Sequence, residues 1–163
     1  MNNLTADINS RLILESKKTS INIKLLVFDI GKLTLALPIL QVQKVIKYNP
    51  LHGSGLSYVN LTHFDNRDVA IVDLHQKLFK ISLAEVSSNQ GYFIITKNIN
   101  TEPLGIFVSE APALIDVATT KIRLIPDSYR HADTLEIASH VTAIEGENNI
   151  NKTIFILDLT RLI

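Results

Sequence analysis

Two aspartates sit at matching ends of two apolar runs, Ile71-Val72-Asp73-Leu74 and Ile156-Leu157-Asp158-Leu159. A pair of carboxylates held close together titrates in separate steps and can serve as acid and base. Each aspartate also precedes a short stretch of helical character, where Asp is favoured as a cap that accepts backbone N–H bonds. An aspartic-protease-like loop would want glycine and small residues after the acid, and here Leu74 and Leu159 follow. Capping is therefore the preferred reading. A small β-barrel hydrolase built on Asp73, Asp158 and a histidine is one alternative, and a small-molecule-binding barrel pair with no protein partner is another. The histidines are His52, His63, His75, His131 and His140. His63 and Asp65, like Asp73 and His75, are two apart and could share a strand face, but a zinc site needs three or four converging ligands and the spacing shows none. His52-Gly53-Ser54-Gly55 lacks the Gly-x-Ser-x-Gly frame of a nucleophile turn. Gly53-x-Gly55 is followed by Tyr58 where a phosphate-cradling loop needs a third glycine. No catalytic residue, metal ligand or cofactor-binding residue is assigned.

The elements that would position such groups are short strands, and they recur. Leu35-Ala36-Leu37-Pro38-Ile39, with Val42, Val45 and Ile46, is answered 69 positions on, from 35 to 104, by Leu104-Gly105-Ile106-Phe107-Val108, with Ala111, Leu114 and Ile115. The aspartate runs are 85 positions apart, from 71 to 156, so the extra length of the second copy falls in 118–140. The spacing predicts strands over 25–28, 33–37, 58–64, 69–72, 92–96, 104–108, 114–117, 141–144 and 153–157, with a turn and then a strand after Pro38. Asp65-Asn66-Arg67-Asp68 reads as a turn, 49–57 as a loop, and 82–90 as a polar connector. About ten short strands with turn signals between them are the pattern of a sandwich or barrel. Residues 1–20 read as an N-terminal tail. Leu4, Ile8 and Leu12 recur there at four-residue spacing, which leaves a short amphipathic helix as the alternative.

Composition narrows the function classes. With 163 residues the chain forms one domain or two small intimate ones, and 46% apolar residues fill a core. Lys+Arg equals Asp+Glu at 16 each, so the basic excess expected of a nucleic-acid binder is missing. The absence of cysteine removes disulfides and thiolate metal sites and permits a reducing interior. No apolar run approaches the ~18 residues of a membrane span, and no secretory signal pattern opens the chain. A cytoplasmic protein with no direct membrane insertion is expected.

Val27-Phe28-Asp29-Ile30-Gly31, running through Ile39-Leu40-Gln41-Val42-Gln43-Lys44-Val45 to Tyr48, resembles the opening of the CheW-like chemotaxis adaptor family. Asn60-Leu61 and Ile71-Val72-Asp73-Leu74 resemble that family's Asn-Leu-Arg-Gly strand and Val-Asp-Leu strand end. Gly105-Ile106-Phe107-Val108, Ile122-Arg123 to Pro126, and Phe155-Ile156-Leu157-Asp158-Leu159 with Leu162 resemble its later segments. The resemblance covers about residues 23–163, and order and spacing carry it more than any one motif. It implies an all-β fold of two five-stranded, SH3-like β-barrel subdomains packed together, with short helical turns, over residues 21–163. It also implies a non-catalytic adaptor in chemotaxis or motility signalling. The partners would be a CheA-type histidine kinase, met barrel to barrel, and a chemoreceptor-like (methyl-accepting) protein whose helical tip lies between the barrels. Recruitment to membrane-associated receptor arrays would follow. On this resemblance Ile39, Val42 and Lys44 are expected on the receptor side, with Leu61, Thr62 and His63 on a nearby partner-facing strand end. The chain departs from the family where Thr62-His63 replaces Arg-Gly, where Ser109 replaces an aspartate and where His140 replaces a glycine. Arginine's planar five-donor fork is not reproduced by threonine, which puts binding of an ordinary chemoreceptor in question.

Overall fold

The computed structural model describes residues 21–97, 102–129 and 136–163. The expected N-terminal tail or helix with Leu4, Ile8 and Leu12 lies outside the described residues, as does His131. The first half runs β1 (Asn22–Ile30), β2 (Leu33–Pro38), a 3₁₀ turn (Ile39–Gln41), β3 (Val42–Lys47), β4 (His52–Leu56), β5 (Val59–Phe64) and β6 (Arg67–Val72), then α1 (Leu74–Phe79) and α2 (Leu83–Ser87). The second half runs β7 (Tyr92–Thr96), β8 (Leu104–Val108), β9 (Ala113–Ala118), β10 (Arg123–Leu124), β11 (Ala138–Glu145) and β12 (Asn151–Leu157), with 3₁₀ turns that include Leu159–Arg161.

The strands form two six-stranded sheets, ordered β10-β11-β12-β2-β1-β9 and β3-β7-β8-β6-β5-β4. Advancing every number by six, modulo twelve, turns one order into the other. The sequence repeat is thus a structural repeat, and the two copies are interlocked: the β1–β2 hairpin sits in the sheet of the second half, and β7–β8 in that of the first. Both hairpins join their sheet by a parallel contact, β2 with β12 and β8 with β6. The all-β, two-subdomain architecture agrees with expectation, with one more strand per sheet than the five expected. The additions are β4, within the stretch read as a loop, and the two-residue β10. The connector at 82–90 contains α2.

Alternation along the central strands explains the packing. Successive strand side chains point to opposite faces, so a strand buried on both faces needs a continuous apolar run. β8 is buried at every position. Leu26, Leu35, Leu37, Ile94 and Ile106 enter a core shared by both sheets. Their neighbours Phe93, Ile95 and Phe107 fill a core inside the second sheet's subdomain. Leu25 and Ala36 do the same inside the first, with Val117, Ile154 and Ile156. Tyr48, Phe93 and Phe107 pack in tilted and edge-on contacts, each pair with ring centroids 5.4 Å apart.

The turns follow local chemistry. Phe64 pairs with Arg67, which leaves Asp65-Asn66 as a two-residue hairpin loop. Both adopt positive φ, 54° and 61°, the left-handed pair that a tight hairpin requires and that Asp and Asn tolerate. Gly91 lies at φ +134°, and a Cβ there would stand 2.3 Å from the Val108 carbonyl oxygen. Only glycine fits that approach.

Candidate functional site

Asp73 and Asp158 are structural. Asp73 is 3% exposed. Its Oδ1 accepts from the Gln76 N–H at 2.9 Å, capping α1, and its Oδ2 accepts from the Leu83 N–H at 2.7 Å and the Ser82 hydroxyl at 3.3 Å. Asp158 Oδ1 accepts from the Thr160 N–H at 3.1 Å and its hydroxyl at 2.6 Å. The repeat extends to their backbones: Asp73 N–H donates to Tyr58 and Asp158 N–H to Ile137, each at 2.8 Å, and those acceptors precede β5 and β11. Both acids are caps, as their sequence context requires.

Among the described residues the histidines do not converge. His75 Nδ1 bonds the Ile81 carbonyl at 2.7 Å, His63 Nδ1 lies 3.4 Å from Asp68 Oδ1, and His140 Nδ1 lies 2.7 Å from Ser139 Oγ. Among the described residues no group of three His, Asp or Glu could hold a metal ion. The Ser54 hydroxyl donates to the Val59 carbonyl and accepts from the Leu56 N–H, closing the β4–β5 turn.

One of several surface grooves of similar size, of about 480 Å³, is mostly apolar and is lined by Leu26, Val45, Lys47, Tyr92, Ala111, Pro112 and Leu114. Two edge strands flank it, β3 from one sheet and β9 from the other. On β3 the register slips between Val42 and Lys44, leaving Gln43 as an extra residue. Such a bulge re-aims the residues that follow it. Ile46 then packs on the second subdomain's core and Lys44 Nζ lies 5.0 Å from the Phe64 ring centroid, so Val45 and Lys47 face the groove. On β9, Ile115 and Val117 enter the first subdomain's core, which turns Leu114 outward. Val45 and Leu114 are matched positions of the repeat, 37% and 57% exposed. Leu26, paired with Leu114, and Tyr92, paired with Lys47, continue the lining from the neighbouring strands. The surface is apolar with Lys47 at its rim, suited to the apolar stripe of a helix.

The six residues assigned to partner binding do not meet in this groove. Val42 is 9% exposed and belongs to the shared core, with Ile39 half-buried against it. Leu61 is half-buried. Thr62 is 0% exposed, and its Oγ1 donates to the Pro50 carbonyl at 3.1 Å. Thr142 holds the matching place on β11, also buried, donating to the Lys121 carbonyl at 2.9 Å. Thr62 thus pins β5 to the chain that follows β3, and presents no surface to a partner. Lys44 and His63 are exposed. Val45, Lys47 and Leu114, which line the groove, are not among those six; the repeat that matches Val45 to Leu114 is the sequence signal that links them.

Comparison with known proteins follows the same lines. The family model described as CheW-like domain matches residues 24–163. The crystal structure of the scaffolding protein TtCheW from Thermoanaerobacter tengcongensis is similar, with a TM-score of 0.67 at 15% identity, covering 85% of this chain and 86% of that one. No curated protein matches the sequence.

Proposed function

This chain belongs to the CheW-like domain family, and from that premise we propose that it is a non-catalytic cytoplasmic adaptor coupling a chemoreceptor-type sensor to a CheA-type histidine kinase. The groove between β3 and β9 carries the reading. It offers apolar side chains from both halves of the repeat to one helical element, so a single bound helix touches both subdomains at once. β4 and β10 lie at the opposite edges of the two sheets. As edge strands they suit pairing with a kinase barrel of similar build. Coupling then consists of holding both partners in one geometry that receptor changes favour or disfavour. Asp73 and Asp158, the acids a hydrolase would use, are committed to capping.

Leu114→Lys tests the groove. The residue is more than half exposed, so the fold tolerates the change. Burying an aliphatic side chain is worth about 1.5–3 kcal/mol when complete. Covering the exposed half of Leu114 and desolvating a lysine in its place weakens helix binding by about ten-fold or more. Titration calorimetry with a receptor-tip helical hairpin should show that loss, while affinity for the kinase's regulatory domain stays at the wild-type value. Wild-type affinity for the hairpin in a folded Leu114→Lys variant would remove the groove from the reading.

A further inference from the structure

Val45 and Leu114 stand exposed beside Leu26, Pro112 and Tyr92, and form a small apolar surface flanked by two sheet edges. The chain carries a segment of suitable chemistry close by. Residues 1–20, outside the described structure, join β1 at Ile21, whose carbonyl accepts from the Thr119 N–H at 2.9 Å and the Thr119 hydroxyl at 3.2 Å. That junction lies just past the end of β9. From there β1 pairs Asn22 with Ala118 and Leu26 with Leu114. The groove residue Leu114 is therefore four strand residues from Ala118, about 13 Å. Leu4, Ile8 and Leu12 form one stripe if helical, about 12 Å long. The eight residues 13–20 reach up to about 26 Å when extended, enough for the chain to turn back along β9.

We infer that residues 1–20 dock in the β3–β9 groove through Leu4, Ile8 and Leu12, and so compete with an incoming partner helix. The docking stands on the groove and the tail alone; the competition rests on the function proposed above. A tethered occupant of this kind lowers apparent affinity for a partner because the partner must first displace it.

The chain has no cysteine, so an introduced pair reports without background. The double variant Ile8→Cys/Leu114→Cys of the whole 163-residue chain should form, on mild oxidation, a disulfide within one chain, detected as a cross-linked species of monomer mass. A disulfide requires the two Cβ atoms to come within about 4.5 Å. Ile8→Cys/Thr153→Cys, with its second thiol exposed on β12 outside the groove, should not form one. Failure of the first pair to cross-link, equal cross-linking of the control, or cross-linking between chains overturns the docking; the last places a second copy in the groove. Separately, Ile8→Asp should raise affinity for the receptor-tip hairpin at least three-fold. Intramolecular cross-linking with hairpin affinity unchanged by Ile8→Asp keeps the docking and overturns the competition, and with it the groove as the helix's seat. Loss of the cross-link leaves the adaptor reading standing, so the two failures are distinct.

Discussion

Replacing Asp73 by alanine removes three hydrogen bonds from a buried carboxylate at once. One caps α1 through Gln76, at 2.9 Å; the other two, to Leu83 and Ser82, hold the start of α2 against it. Loss of an N-cap costs about 1 kcal/mol. The Leu83 N–H bond is buried, and leaving such a donor unsatisfied costs about 1–3 kcal/mol more. The sum, about 2–4 kcal/mol, lowers the melting midpoint by about 5–15 °C at this chain length. Asp158→Ala, at the matching but more exposed cap, should cost about 0.5–1 kcal/mol and lower it by about 1–4 °C. Asp73→Asn falls between wild type and alanine, because one acceptor oxygen remains and the amide NH₂ faces the second donor. Differential scanning calorimetry of the three variants supplies the ranking. A midpoint for Asp73→Ala within about 2 °C of wild type, with kinase coupling lost, would refute the capping argument and return the aspartate to a functional role.

Thr62→Val and Thr142→Val should each lose about 1 kcal/mol in urea unfolding, because each removes one buried hydroxyl-to-carbonyl bond in the same structural setting; very unequal losses would contradict their equivalence. Gly91→Ala should cost about 1–3 kcal/mol through its positive φ and the Val108 carbonyl, whereas Gly53→Ala, which meets nothing within 4 Å, should stay within about 0.5 kcal/mol by the same assay. Lys77 Nζ donates to the Arg161 and Leu162 carbonyls and lies 4.8 Å from the Tyr58 ring centroid. Partial burial pushes its pKa below the ordinary 10.5, with Glu136 opposing and Lys80 adding to the fall. The unfolded chain then binds more proton in the window just below 10.5, so this lysine's contribution to stability rises with pH through that window and its penalty is complete below it. The stability of wild type relative to Lys77→Met should accordingly grow as pH approaches 10.5; a flat or falling difference would show that the carbonyls and the ring outweigh desolvation.

Much of the fold is legible because burial on both strand faces leaves long apolar runs. Leu35–Leu37 and Leu104–Val108 announce central strands, and the two Asp-Leu strand ends announce caps. β4 is not legible. His52-Gly53-Ser54-Gly55-Leu56 has no alternating apolar face, and it is extended through pairing with β5 and the Ser54 contacts at its turn. α2 lies in a polar stretch, with its start held by the second oxygen of Asp73 from ten residues away. Which apolar residues line the groove is less legible, for the same reason that the core is legible. On strands with apolar residues on both faces, period-two alternation does not say which face is covered. Val42 and Thr62, expected to face partners, are buried, while Val45 and Leu114 are open.

The sequence alone determined that this protein is a duplicated β scaffold whose aspartates terminate strands, because apolar alternation and capping are local properties written within a few residues. Only the tertiary structure decided that the halves exchange their first hairpins, and that a bulge at Gln43 turns Val45 toward Leu114 across two sheet edges. Those outcomes depend on pairings between residues far apart in the chain, where many registers satisfy the same apolar pattern and packing of the whole selects one.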